Sequence, residues 1–275
     1  MTAGSVRAVG VVVPARDEES LVEPCLRALL TALDAAPAGV LCAVCVVLDR
    51  CRDATGTAAR RALHGTTRAT VDVLTGSARG PVAEVRDQGM RRVLDRLSAV
   101  PVSRTWLLST DADSTVGPDW VVDHLRYADS GADAVAGTVG LDAPGRLDAA
   151  VLRRYASVVE AGFPVTGSSA ALGDPGGHRH AYAANLGVRA GAYLDVGGFP
   201  PVTSGEDHAL LHRLHRAGYR IARPTDLRVR TSARLDGRAP GGLADLLRRL
   251  HADRSATGHA GHRTAAPSGP RTPNH

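Results

Sequence analysis

Two aspartates one residue apart, Asp111 and Asp113, close a stretch that begins with the apolar run Thr105-Trp106-Leu107-Leu108. Carboxylates this close repel each other unless a counter-charge sits beside them. A divalent cation carrying a phosphorylated substrate is the usual one, and Mg²⁺ sites commonly combine one or two carboxylates with substrate phosphates. The alternative is a polar loop whose aspartates cap the following helix. The short Asp-x-Asp pattern by itself leaves both open. The apolar run reads as a short buried strand and the aspartates as the loop at its carboxyl end. Open α/β sheets bind their ligands at such ends.

A strand of that kind needs parallel neighbours, and the chain before it supplies them. Residues 6–13 are a β-branched run with the character of a strand buried on both faces. Leu21, Val22, Cys25, Leu26, Leu29, Leu30 and Leu33 recur at helical spacing. Residues 39–48 read as a second strand, 57–63 as a helix, 70–74 as a third strand and 82–97 as a helix. The alternation predicts a doubly wound, mainly parallel α/β sheet with right-handed crossovers. A helix over 119–128 and a strand over 132–139 follow.

After Gly140 the rhythm changes. Residues 147–161 are amphipathic, 167–180 form a small-residue loop, 181–188 a strand and 190–196 a short helix. Gly205-Glu206-Asp207 opens a helix with Leu210, Leu211, Leu214 and Ala217 on its core face, and Gly218 closes it as a C-cap. A last strand over 227–230 and a helix over 243–250 precede a Gly, His, Thr, Pro and Arg tail, expected to be disordered over 255–275.

The composition removes several classes. The chain has 275 residues, of which 44% are hydrophobic and 3% aromatic, so its core must be largely aliphatic. Lysine is absent, which argues against a P-loop nucleotidase or a Schiff-base enzyme. The net charge of +5 comes from scattered arginines, a pattern that does not suggest nucleic acid. Cys42 and Cys45 have zinc-like spacing. They lie inside an apolar run, however, and with no second pair they read as buried structural cysteines, one of them fully inside. No stretch reads as a signal peptide or approaches the ~20 apolar residues of a membrane span. The expected location is cytoplasmic, with reduced thiols.

Five ordered pieces between about residues 9 and 234 resemble a GT-A glycosyltransferase of the family 2 type. They are Val11-Val12-Val13-Pro14-Ala15-Arg16-Asp17-Glu18, Asp49-Arg50-Cys51-Arg52-Asp53-Ala54-Thr55, Val85-Arg86-Asp87-Gln88-Gly89, Thr110-Asp111-Ala112-Asp113 and Gly205-Glu206-Asp207. The resemblance implies a GT-A type, Rossmann-like fold, with residues 1–140 holding a nucleotide-diphosphate sugar and 141–254 building an acceptor-side α/β extension. It places Pro14, Ala15 and Arg16 along the base, Glu18 near the ribose and Asp49 on the base edge. Arg86 falls near the diphosphate or the metal-binding carboxylates. Asp113 would hold Mn²⁺ or Mg²⁺, with Asp111 helping or binding the ribose. Asp207 would be the base of an inverting transfer to a hydroxyl acceptor, and Glu206 would bind an acceptor or sugar hydroxyl. Arg234 or Arg238 would fold over the diphosphate, and His178 and His180 read as loop surface, with a role as further metal ligands the alternative.

Two departures from the family pattern stand out: Cys51 where serine is usual, and Asp87 where asparagine or alanine is. The signature of processive polysaccharide synthases is missing, which implies transfer of one sugar to a soluble or peripheral acceptor, with peripheral membrane contact left open. The rivals are a retaining transferase of the same fold and a non-catalytic nucleotide-sugar-binding protein.

Overall fold

The computed structural model describes residues 4–76, 80–142, 147–161, 182–237 and 242–258. In chain order the elements are β1 (Ala8–Ala15), α1 (Val22–Asp34), β2 (Leu41–Leu48), α2 (Thr55–Leu63), β3 (Thr70–Thr75), α3 (Val82–Arg96), β4 (Thr105–Ser109), β5 (Ser114–Val116) and α4 (Trp120–Asp129). There follow β6 (Ala134–Ala136), β7 (Thr138–Asp142), α5 (Ala149–Ala161), β8 (Leu186–Arg189), α6 (Ala190–Asp195), α7 (Glu206–Arg216), β9 (Ile221–Ala222), β10 (Arg228–Ser232) and α8 (Leu243–Gly258).

Seven strands form the main sheet in the order β3-β2-β1-β4-β8-β6-β9. Its pairings are parallel except that β8 runs antiparallel to both neighbours, β4 and β6. The expected doubly wound, mainly parallel α/β fold is therefore present. One apolar layer joins α1, α2 and α4 to one face of the sheet, and a second joins α3, α6 and α7 to the other. Helix α3 lies unusually close to the sheet. A Cβ on its Gly89 would stand 2.4 Å from a Val12 methyl, and one on Gly10 of β1 would stand 2.7 Å from a Val93 methyl.

The expected strand over 132–139 is two strands in two sheets. The break falls at Gly137, whose backbone N–H donates to the Asn185 carbonyl at 2.9 Å. A Cβ there would stand 2.2 Å from the Asn185 amide nitrogen. Beyond the break, β7 joins a second sheet of order β5-β10-β7. The expected boundary between residues 140 and 141 falls inside β7, and later strands are built into both sheets: β8 into the first, β10 into the second. Ala217, expected on the core face of α7, is exposed, while Leu210, Leu211 and Leu214 are buried as expected. Gly218 takes a φ of +85°, as a glycine C-cap does. Helix α8 runs to Gly258, past the position where the tail was expected to begin; residues 259–275 lie outside the described residues.

Cys42 and Cys45 are both buried, one more than expected. They are three apart on β2, so they face opposite sides of the sheet and join different apolar layers. Burial, followed by the Asp72 charge, pushes the Cys45 thiol up to about 12. A protonated thiol is a poor metal ligand. Elemental analysis of purified protein should accordingly find no stoichiometric zinc, and one zinc per chain would contradict this placement. No helix among the described residues is long and apolar enough to cross a membrane.

Candidate active site

The carboxyl ends of β1, β2 and β4 converge on a cavity of about 470 Å³. Pro14, Ala15, Arg16 and Glu18 border it from the end of β1, and Asp49 from the end of β2. Asp111 and Asp113 enter from the loop between β4 and β5. Glu206 and Asp207 enter from the start of α7, and Arg234 from the segment after β10.

Two arginines organise these carboxylates. Arg86, on α3, is buried, and each of its three guanidinium nitrogens donates. It donates to Ser109 Oγ at 2.8 Å, to Asp111 Oδ1 at 2.5 Å and to Glu206 Oε1 at 3.3 Å. Burial opposes its charge, but the Asp111 and Glu206 carboxylates more than offset that, and its pKa is raised overall. One guanidinium thereby ties the loop after β4 to the first turn of α7. Arg234 grips both oxygens of buried Glu18 at 2.6 Å and lies 2.9 Å from Asp113 Oδ2.

Strand β10 also holds Asp113 directly. Thr231 Oγ1 donates to Asp113 Oδ1 at 3.3 Å, and the Ser232 N–H donates to the Asp113 carbonyl at 3.0 Å. Burial and then the Asp111 charge push the Asp113 carboxyl up to about 6.

Asp207 is partly buried and its carboxylate is fixed by backbone. Oδ1 accepts the His208 N–H at 2.7 Å and Oδ2 the Ala183 N–H at 3.0 Å. Those bonds favour the charged form. Burial and the Glu206 charge outweigh them and push the group up to about 7. Desolvation is the larger effect, exceeding the pull of the two backbone N–H groups.

Residues 7–252 match the family described as glycosyltransferase like family 2. The chain belongs to that family.

Among solved structures it is similar to the mannosyltransferase PcManGT from Pyrobaculum calidifontis, in complex with GDP-Man and Mn²⁺. The two are 18% identical with a TM-score of 0.61, over 96% of this chain and 66% of that one. It is also similar to S. aureus TarS residues 1–349 in complex with UDP-GlcNAc, at 17% identity and a TM-score of 0.55, over 84% of this chain and 60% of that one. The chain thus spans about two thirds or less of the length of these relatives, and the likeness shows a shared GT-A fold. No curated protein matches the sequence.

In this member of the family the expected donor and base residues gather around one cavity, several of them held by other side chains of the chain. Arg86 lies on the Asp111 carboxylate, the second of its two expected positions, and also donates to Ser109 and Glu206. Glu206 borders the cavity and is buried, with Oε1 accepting from Arg86. Asp49 borders the cavity and accepts from its neighbour Arg50 at 2.7 and 3.0 Å, with Arg16 at 3.9 Å. Arg50 adopts a φ of +53° in that turn. Arg234 lies on Glu18 and Asp113. Arg238, His178 and His180 lie outside the described residues.

The two departures from the family pattern are accommodated. Cys51 Sγ donates to the Ala15 carbonyl at 3.2 Å, a bond that a serine hydroxyl would also make. Asp87 accepts the Tyr193 hydroxyl at 2.8 Å and Arg91 Nε at 2.7 Å, binding α3 to α6. Asp53 faces the first turn of α2, accepting the Thr55 N–H at 3.0 Å and the Thr55 hydroxyl. Sequence reasoning missed Ser109 and Thr231. Both are small hydroxyls on strands with no local signal: Ser109 accepts from Arg86, and Thr231 reaches Asp113 through the pairing of β10 with β5.

The residues fit a hard divalent cation. Glu18, Asp49, Asp111, Asp113, Glu206 and Asp207 all border the cavity, against Arg16, Arg86, Arg234 and Arg249. That leaves an excess of carboxylate, with oxygen donors of the kind Mg²⁺ and Mn²⁺ accept.

Proposed function

We propose that this chain is a divalent-metal-dependent, inverting glycosyltransferase. It moves one sugar from a nucleotide-diphosphate sugar to a hydroxyl acceptor. The observation that supports this most is the meeting, in one cavity, of the Asp111-Asp113 pair with an Asp207 carboxyl pushed up to about 7. A carboxylate of that basicity is matched to take a proton near neutral pH.

Asp113 and Asp111 would hold Mn²⁺ or Mg²⁺, which when bound would neutralise the leaving diphosphate. Pro14, Ala15, Arg16 and Glu18 bind the nucleoside, and Asp49 contributes once Arg50 yields its oxygens. Asp207 accepts the proton of the acceptor hydroxyl while that oxygen attacks the anomeric carbon opposite the diphosphate. The two backbone bonds to Asp207 hold its carboxylate in place during the transfer. Arg86 keeps Asp111 and Glu206 at fixed positions on either side of the cavity floor. The four free thiols support a cytoplasmic setting.

The test is binding of UDP and GDP by calorimetry with and without Mn²⁺. Either nucleotide that binds should bind more tightly with the metal, because its phosphates and Asp113 otherwise repel. Asp113→Ala should abolish that dependence, a loss of about 10-fold or more in affinity, with an unchanged circular dichroism spectrum. Binding of equal strength without metal in the wild type would refute the metal role.

A further inference from the structure

We propose that Arg234 is the resident counter-ion of the metal site, and that it makes metal binding conditional on the nucleoside diphosphate. This rests on the reading of Asp113 as a metal ligand. The guanidinium lies 2.9 Å from Asp113 Oδ2 while both its amino nitrogens hold Glu18 at 2.6 Å. A cation bonded to Asp113 sits about 2.1 Å from its oxygen. A divalent ion bonded to that oxygen would stand close to the guanidinium, and close approach of the two positive charges is strongly repulsive.

The surroundings allow the side chain to leave while its backbone stays. Ser232 is tied to the Asp113 carbonyl at 3.0 Å, and the Ala233 N–H donates to the Asp142 carbonyl at 3.3 Å. Ala233 itself is buried. The anchor thus ends one residue before Arg234, whose side chain is partly exposed at the cavity wall.

A metal ion alone must displace this arginine and strand its charge beside the site. A metal ion arriving with a diphosphate brings the arginine a new anionic partner, which its planar fork fits. The cost of displacement is then offset in one case and not in the other. Arg234 excludes the naked metal and admits the metal-diphosphate pair.

The test measures Mn²⁺ alone, then Mn²⁺ in the presence of UDP or GDP, by calorimetry and by the electron paramagnetic resonance of free Mn²⁺. Wild type should bind Mn²⁺ alone weakly and much more tightly with nucleotide. Arg234→Gln should bind Mn²⁺ alone roughly tenfold more tightly than wild type and show a correspondingly smaller nucleotide effect, since the coupling is reciprocal. Arg234→Lys keeps the charge and should keep weak binding of the metal alone. Because Arg234→Gln removes the arginine from buried Glu18, the Glu18→Gln, Arg234→Gln double variant serves as a second arm and should show the same gain. Folded variants that bind Mn²⁺ alone no more tightly than wild type, while wild type needs nucleotide for tight binding, overturn this proposal and leave the metal site standing. Absence of Mn²⁺ binding in every protein, even with both nucleotides, overturns both.

Discussion

Asp207→Asn should lower turnover by about 10²-fold or more while leaving nucleoside-diphosphate affinity nearly unchanged. Asparagine keeps the shape and can still accept the Ala183 N–H, but it cannot take a proton from an attacking hydroxyl. A residue that merely capped α7 would tolerate the change. The pH profile gives an independent check. A base must be ionised to work, so with the carboxyl pushed up to about 7, kcat/KM should climb with pH below that value and level off above it. The stability sign runs the opposite way. The folded-state pKa stands above the ordinary value of 3.8, so between these values the folded state binds the proton more readily than the unfolded chain. This group's contribution to stability therefore declines as pH rises through that window. Near wild-type turnover in Asp207→Asn would remove the base assignment and bring the retaining mechanism forward.

Arg86→Met should be the most damaging single change to the fold around the site. Methionine fills much of the space but leaves Asp111 and buried Glu206 without their shared counter-charge. Breaking a buried pair in this way costs about 3–5 kcal/mol. For a chain of this size that corresponds to a fall in Tm on the order of 10 °C. Urea unfolding should show the loss, and Glu206→Gln added to Arg86→Met should recover part of it by removing one of the two stranded charges. Recovery separates charge imbalance from simple loss of packing. If Arg86→Met unfolds at the wild-type urea concentration, the arginine is not what joins α7 to β4.

Periodicity and composition alone carried the layered architecture. The β-branched run of β1, the helical spacing of Leu26, Leu29 and Leu33, and the glycine after α7 are local signals, each set by sterics or burial over a few residues. The Asp111-Asp113 pair was legible for the same reason, since a strand followed by two carboxylates is a local pattern. Gly89 was visible as part of a motif, but its reason was not: it lets α3 approach Val12 at a distance no side chain would allow.

What the tertiary structure decided was how the charges pair. Arg234 is 216 residues from Glu18 and Arg86 is 120 residues from Glu206, and no local pattern tells which carboxylate a given arginine will meet. The sequence placed Arg234 at the diphosphate and left Arg86 between the diphosphate and the metal-binding carboxylates. The fold sets both against the protein's own carboxylates, because buried or half-buried carboxylates must be neutralised from whatever cation the strand order brings within reach. The split of residues 132–139 has the same origin. Gly137 looks like any small residue in an apolar run, yet Asn185 and the carbonyl of Leu227 occupy the space where its side chain would stand, so the strand ends there and a second sheet begins. Local sterics and burial determined the elements of this protein; long-range pairing of charge and strand determined which of its residues are free to meet a substrate.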